Sequence, residues 1–412
     1  MTESVNTELR IAVIGAGPAG VYSSDIFLRQ LKKLGEELGL GTEARIDLFE
    51  KLPVPFGLVR YGVAPDHPSI KFIASALEKT LDNPNIHLYC DVEFGKDVTL
   101  DDLLARYDAV LCATGAVKDK PLNLPGADLE GVYGAAKFVE WYDGYPTGAR
   151  EWPLTAENVA VIGGGNVAMD VARTSLRLGA ESVTVVYRRR IEDMTAQREE
   201  IDGAIAEGCE IMELAAPLRV IEKDGCVTGL EVQPQIIGDV DGSGRPKPNK
   251  AALDQVRIPA DIIVVAIGQG IEIQGFDQAG VPITRGGRLV AALSGQVSDM
   301  DNVFAGGDCV TGPATAIRAI AAGKVAAANI DEHLGYHHEI RVDVDIPAPR
   351  LNNCPPHGRI NTTEREACER RCDFEDIEYG LTEEGARTEA SRCLRCDHFG
   401  YGIFKGGRSS KW

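Results

Sequence analysis

"IAVIGAGPAG", residues Ile11 to Gly20, places a short apolar run directly before three glycines and the start of a helix. Four apolar residues in succession suit a strand buried on both faces. Gly15 permits the tight turn, Gly17 lets a pyrophosphate approach the backbone, and Gly20 allows close packing of helix on sheet. Pro18 and Ala19 then open a helix expected to run to about Leu34. Its first amides and positive dipole end would face the phosphates. The following strand, "RIDLFE", ends in Glu50, placed to bind ribose hydroxyls. That acid lies 30 residues beyond Gly20, where about 20 is usual, and an insertion such as "GEELGLGTEA" accounts for the delay. Strand, glycines, helix, strand and acid in this order read as a dinucleotide site.

The pattern recurs in "NVAVIGGGNVAMDVARTSLRLGA". A strand from Val159 to Ile162 runs into Gly163, Gly165 and Ala168, with Asn166 and Val167 opening the helix. Alanine in third place is allowed by the fingerprint. The next strand, "SVTVVYRRR", ends in arginines 188–190 where an acid would mark NAD. Arginine there suits the 2′-phosphate of NADP, with a solvated basic strand end as the other reading. NADP(H) therefore leads and NAD(H) stays open.

Two dinucleotide sites in one chain indicate FAD in the first and a nicotinamide cofactor in the second. "DNVFAGGDCVTGPATAIRAIAAGK" adds a short strand, Gly306, Gly307 and Asp308, then an alanine-rich helix preceded by Ala314 and Thr315. A carboxylate and a helix start there can meet a flavin's ribityl chain and pyrimidine ring. "AVLCATGA", containing Thr114 and Gly115, and "DIIVVAIGQG" read as crossings between the two nucleotide domains. Between the motifs lies "KLPVPFGLVRYGVAPDHPSIK", 51–71, with four prolines and two glycines. So long a loop inside a compact domain is functional or disordered.

The phrase "PFGLVRYGVAPDHP" resembles adrenodoxin reductase and related ferredoxin–NADP reductases, in which this loop lines the flavin. "GGGNVAMDVAR", the pair Arg188–Arg189 and "GGDCVTGPATAIRAIAAGK" resemble that class and the small subunit of glutamate synthase. The resemblance covers about residues 10–335. It implies FAD held by Gly15–Gly20, Glu50, Leu58, Arg60 and Asp308, with Lys51 and His67 as further polar candidates. It also implies NADP(H) held by Gly165–Ala168, Arg188, Arg189 and Glu200. The loop is then the wall of the isoalloxazine pocket. Asp308 departs from adrenodoxin reductase, which carries tryptophan there, and matches the glutamate-synthase-like pattern.

The ten cysteines are unevenly placed, with Cys354, Cys368, Cys372, Cys393 and Cys396 in the last sixty residues. C-x3-C followed by C-x2-C matches in type a four-thiolate site for zinc or a [4Fe-4S] cluster. The alternative is free thiols in a docking tail, because "TEEGARTEASRCLRCD" also reads as an ordinary helix capped by Thr382. Cys112 and Cys309 are expected to pack as buried free thiols.

The net charge of −19 argues against nucleic acid, which needs a basic footprint. No apolar run is long enough for a membrane span, and the first ten residues lack a signal-peptide core. A cytoplasmic chain is expected. The fold class expected is α/β, with two Rossmann-like domains. FAD parts at 1–130 and 275–335 enclose a nicotinamide domain at 131–274, and a tail follows from 336. The function expected is hydride exchange between NAD(P)H and FAD with no side-chain acid, base or nucleophile. Electrons would pass to or from an iron–sulfur partner in a hetero-oligomeric complex. A free-standing ferredoxin–NADP reductase is the alternative, and an assembly subunit with a vestigial flavin a third reading.

Overall fold

The computed structural model describes residues 9–38, 44–144, 157–240, 242, 244–337 and 357–392. Its first sheet joins β1 (Leu9–Ile14), β2 (Ala44–Phe49), β3 (Ile86–Tyr89), β4 (Ala109–Cys112) and, from far along the chain, β16 (Val303–Ala305). All pair in parallel, in the order β16-β4-β1-β2-β3. Alternate side chains divide the sheet between two cores. Ile11, Val13, Ile46, Leu48, Leu111 and Phe304 pack with helices α1 (Pro18–Leu38) and α11 (Ala316–His333). Ala12, Ile14, Val110, Cys112, Val303 and Ala305 face the other way, onto α5 (Leu100–Leu104), α9 (Gln274–Gln278) and the chain around Leu289 and Val297. Burial on both faces is why these strands are apolar throughout rather than alternating.

Helix α1 extends to Leu38, four residues past its expected end. Part of the insertion that delays Glu50 is therefore helix. Residues 51–81, expected as an open loop at their start, contain three helices: α2 (Leu58–Tyr61), α3 (Pro68–Lys71) and α4 (Ile73–Leu81). Pro68 sits at the first turn of α3, where its missing amide costs nothing.

The second sheet is parallel as well, in the order β6-β14-β7-β8-β9. It uses β6 (Val132–Gly134), β7 (Asn158–Ile162), β8 (Ser182–Val186), β9 (Glu210–Met212) and β14 (Ile262–Val265). One face packs on α6 (Ala135–Tyr142), α7 (Asn166–Arg177) and α8 (Arg198–Glu207). The other face is covered by an antiparallel sheet of β10 (Ala215–Lys223), β11 (Cys226–Val240), β12 (Pro246–Lys250) and β13 (Val256–Pro259). Strands β11 and β12 pair antiparallel from Gln235–Lys250 to Val240–Pro246.

The two expected crossing strands lie one in each sheet, as β4 and β14. Beyond them the chain forms a two-stranded antiparallel ribbon, β5 (Lys118–Asp119) with β15 (Gln269–Gly270). Both fingerprints follow the central strands β1 and β7, whose neighbours on either side run to opposite flanks of the sheet. Ligands bind at such switch points, outside the carboxyl ends of the strands.

Candidate functional site: two dinucleotide cradles on one cleft

The glycines of the first fingerprint have distinct jobs. Gly15 has φ +102°, and a Cβ there would meet the carbonyl oxygen of Ala113 at 2.5 Å. A Cβ on Gly20 would lie 2.1 Å from the carbonyl of Gly15. Both glycines are demanded by the fold itself. A Cβ on Gly17 would meet nothing within 4 Å, so this glycine keeps space clear for something the chain does not supply. Glu50 ends β2 with Oε2 accepting from the Ala16 amide at 2.8 Å and Oε1 from Leu52 at 3.0 Å. Burial pushes its carboxyl upward against those amide bonds.

Asp308 opens the short helix α10 (Asp308–Thr311) after β16. Its Oδ1 is buried without a hydrogen-bond partner, as is Oγ1 of Thr114. Burial raises the Asp308 carboxyl, offset by a bond from the Ala314 amide. Buried orphan acceptors are costly, and both residues line the same cleft of about 2950 Å³ as Gly17, Glu50, Gly115, Gly307 and Thr315. An open cradle at Gly17, an acid at ribose distance and two unmet oxygens facing one channel suit the phosphates, ribose and ring of FAD.

The proline–glycine segment supplies one wall of this cleft through Leu52, Gly57, Leu58, Val59, Tyr61, Gly62, Val63 and Ile70. The Phe56 amide donates to the carbonyl of Ala16 at 2.9 Å, which ties the wall to the fingerprint. Lys51 lines the cleft and pairs with Glu93 at 3.0 Å and Glu272 at 2.7 Å. Arg60 does not line it. That side chain donates to the Pro55 carbonyl and stacks over Phe56.

In the second fingerprint a Cβ on Gly163 would strike the Ala266 carbonyl at 2.3 Å, and one on Gly164 the ring of Tyr187 at 2.5 Å. Gly165 is open, with only Thr195 Oγ1 near, at 3.5 Å. It is followed by α7, where Asn166 Oδ1 accepts from the Gln197 amide and Ala168 is fully buried. Val167, Val139 and Ala136 line the same cleft as the first cradle, whereas Gly163, Gly165, Asn166, Ala168, Arg188 and Arg189 do not. Arg188 is exposed. Arg189 is 4% exposed and donates through Nε to the Pro246 carbonyl at 2.8 Å. The two arginines of the pair therefore occupy different surroundings.

His67 and Glu200 lie behind the wall, away from the cleft lining. His67 Nε2 sits 3.4 Å from Asp170, 3.9 Å from Glu200 and 4.0 Å from Asp66. Arg173 pairs with Glu200 and Glu207 at 2.6 Å each, and Arg177 with Asp66 at 3.2 Å and Glu207 at 3.0 Å. Lys71 pairs with Asp143 at 2.5 Å beside them. Among the described residues, His67, Asp170 and Glu200 are the one trio whose ligand-type atoms converge within 4.8 Å. With Arg173 on Glu200, it is an ion-pair cluster between the two nucleotide domains. The spacing of acids and arginines along 64–207 carries no local signal for it.

The Asp170 carboxylate holds the His67 imidazole cationic, raised from 6.5 to about 9 against the cost of burial. A pKa raised by folding stabilises the folded state below the unfolded value and loses that contribution as pH climbs through the folded one. Stability owed to this contact is therefore full below pH 6.5 and lost by about pH 9. Thermal melts of wild type and His67→Gln should converge over that window, and parallel curves would refute the assignment.

The tail is partly described. Among 357–392, the chain forms α12 (Ala367–Arg370) and α13 (Glu383–Ser391), the latter capped by Thr382 Oγ1 accepting from Gly385 at 3.0 Å. Cys368 and Cys372 are exposed free thiols, one turn apart. Cys354, Cys393 and Cys396 lie outside the described residues. The described part does not stand apart as a separate tail, because Arg370 is 5% exposed and pairs with Glu207 at 3.0 Å. Cys112 and Cys309 are fully buried, the latter donating to the carbonyls of Cys112 and Gly306. Burial pushes Cys309 up to about 12, so neither is a ready thiolate.

Two Rossmann-type sheets, with the first cradle and Val167 at the start of the second fingerprint helix lining one cleft, define an FAD-dependent NAD(P)H oxidoreductase. Residues 9–323 match the family described as pyridine nucleotide-disulphide oxidoreductase, and the chain belongs to it. It is 31% identical over 98% of its length to the NADP(+)-dependent formate dehydrogenase subunit beta of Moorella thermoacetica, spanning 57% of that protein. It is 42% identical over 42% of its length to the mitochondrial NADPH:adrenodoxin oxidoreductase of Drosophila melanogaster, spanning 35% of that protein. Mycobacterium tuberculosis FprA in complex with NADPH superposes with TM-score 0.69 at 25% identity, over 80% of this chain and 85% of that one. The chain thus spans little more than half the length of the formate dehydrogenase subunit, and no helix among the described residues is long and apolar enough to cross a membrane.

Proposed function

We propose that this chain is the flavin subunit of a larger complex, exchanging hydride with NADP(H) and single electrons with an iron–sulfur partner. The observation carrying the hydride exchange is one cleft lined both by Gly17, Thr114 and Asp308 and by Val139 and Val167 of the second domain. Bound FAD would accept two electrons as hydride and release them singly. The chain's own part is to hold and orient. The Gly15–Gly20 turn and α1 receive the pyrophosphate, Glu50 the ribose, and Asp308 with Thr114 the ribityl and ring edge. The apolar wall of Leu58, Val63 and Ile70 would exclude water from the cleft. No side chain needs to move a proton for hydride transfer.

The division into FAD parts at 1–130 and 275–335, an NADP(H) domain at 131–274 and a tail from 336 belongs to this proposal. So do a metal at Cys368, Cys372, Cys393 and Cys396 and a cytoplasmic location. Subunit status is supported by relatives that carry subunit names, among them the NADPH-Fe(3+) oxidoreductase subunit beta of Geobacter sulfurreducens, 28% identical over 94% of this chain. Purification of the native protein under anaerobic conditions tests it: partner subunits with iron should travel with the yellow chain. A lone yellow chain that reduces free ferredoxin would replace the complex by the second reading, a free-standing reductase. That reading is favoured by the stretch shared with the adrenodoxin oxidoreductase.

NADPH preference is expected to rest on Arg188. It is exposed beyond the β8 end, whereas Arg189 is committed to the Pro246 carbonyl. Arg188→Ala should lower NADPH affinity about tenfold to a hundredfold, roughly 1.5–3 kcal/mol for a lost charge-assisted contact, and leave NADH unchanged. Arg189→Ala should mainly lower stability. Equal use of both nucleotides by the wild type, measured by stopped-flow flavin reduction, would remove the 2′-phosphate role.

A further inference from the structure

Four carboxylates and four cations meet behind the flavin wall. The acids are Asp66 beside the wall, Asp170 on α7, and Glu200 and Glu207 on α8. The cations are His67, Arg173, Arg177 and, from the C-terminal segment, Arg370. Glu207 is fully buried and touches all three arginines, Arg370 included, at 3.0 Å or closer. The Arg370 carbonyl accepts from Arg177 Nε at 3.0 Å, so the segment engages this point by side chain and backbone together. Arg370 also pairs with Glu364, and Arg365 donates two hydrogen bonds to the Asp373 carboxylate at 2.8 and 2.7 Å, bracing the short turn that carries it. From Glu207 the contacts continue through Arg177 to Asp66 Oδ2. Asp66 and His67 lie between Val63 and Ile70, both of which face the cleft.

We propose that Arg370 is a positioning residue for the flavin wall: through Glu207 and Arg177 it fixes Asp66, and so sets the surface that Val63 and Ile70 present to the bound cofactors. The C-terminal segment is thereby part of the hydride-transfer site at one remove. This rests on the flavin-reduction half-reaction alone and is independent of which partner takes the electrons.

The charge balance supplies a readout that mere loss of packing would not move. His67 faces Asp66 on its own segment, Asp170 on α7 and Glu200 on α8. Arg173, Arg177, Lys71 and the pair Tyr142 and Asp143 complete the cluster around it. Removing the Arg370 charge leaves the cluster one unit more negative, and removing the Glu207 charge one unit more positive. Long-range charge effects of this kind shift a titration by roughly half a unit to one unit.

The test uses the full-length holoprotein with histidine-selective isotope labelling, the His67 resonance being assigned by its loss in His67→Gln. Arg370→Met should raise the His67 midpoint and Glu207→Gln should lower it, while Arg370→Lys should stay near wild type. With FAD content equal to wild type, Arg370→Met should also slow flavin reduction by NADPH roughly tenfold, and Arg370→Lys should restore most of it. If Arg370→Met does not fold, flavin reduction in Glu207→Gln at equal FAD content decides the point: it breaks the same chain of contacts at the next link and should slow the reaction likewise. Midpoints that do not move, or that move in the same direction in both variants, overturn the proposal. So does an unchanged reduction rate in Arg370→Met. Failure of the partner reading would instead leave all of these results standing and show only in the native purification.

Discussion

Gly17→Val is expected to give a folded chain that retains no FAD. The fingerprint separates glycines the backbone needs from the glycine the ligand needs. Gly15 and Gly20 would bring a Cβ within 2.5 and 2.1 Å of carbonyl oxygens, whereas a Cβ on Gly17 would enter open space above the helix start. Valine there fills the volume a pyrophosphate must occupy to reach the first amides of α1. Circular dichroism should be close to wild type, and the flavin-to-protein ratio after denaturation should fall from about one to near zero. Gly20→Val, in contrast, should fail to fold, because its Cβ meets fixed backbone. Stoichiometric FAD in Gly17→Val would show that the first cradle has been misassigned.

Arg177→Met is expected to be the most destabilising single change behind the wall. Arg177 is buried between Asp66 and Glu207, with side-chain exposures of 0%, 2% and 0%. Breaking a buried pair by removing one partner typically costs about 3–5 kcal/mol, because the remaining charge stays unpaired in a poorly solvated place. Here two carboxylates lose a partner and the Arg370 carbonyl loses its donor. Urea denaturation followed by FAD release should report that loss, and a change below about 1 kcal/mol would show that Asp66 and Glu207 find other partners or become protonated. The same reasoning applies to the tail. A truncation from residue 340 removes Arg370 and uncovers Glu207, so it should lower stability as well as partner transfer.

The cysteines illustrate how local patterns can under-determine a site. Cys368 on α12 and Cys372 just beyond its end are exposed and one turn apart, which their spacing alone allows for ligand pairs and for free thiols. Cys112 and Cys309, 197 residues apart, prove to be one buried contact between β4 and α10.

By itself the sequence determined the two nucleotide cradles, because each is a local object. A buried strand, a glycine turn and a helix start occupy about ten consecutive residues, and steric need at Gly15, Gly20 and Gly163 writes itself into residue type. It also marked the 51–71 segment as functional through its prolines and glycines. Only the tertiary structure decided where His67, Glu200 and Arg189 belong. Each is a charged residue whose type allows a cofactor contact or an ion pair, and the choice depends on what lies opposite. Asp66 and Arg177 come from different domains, and Arg177 and Arg370 stand 193 residues apart. Such charges have no periodicity or spacing to announce them. They are brought together where α7 and α8 pack on each other and on the neighbouring segments, and once buried they must pair.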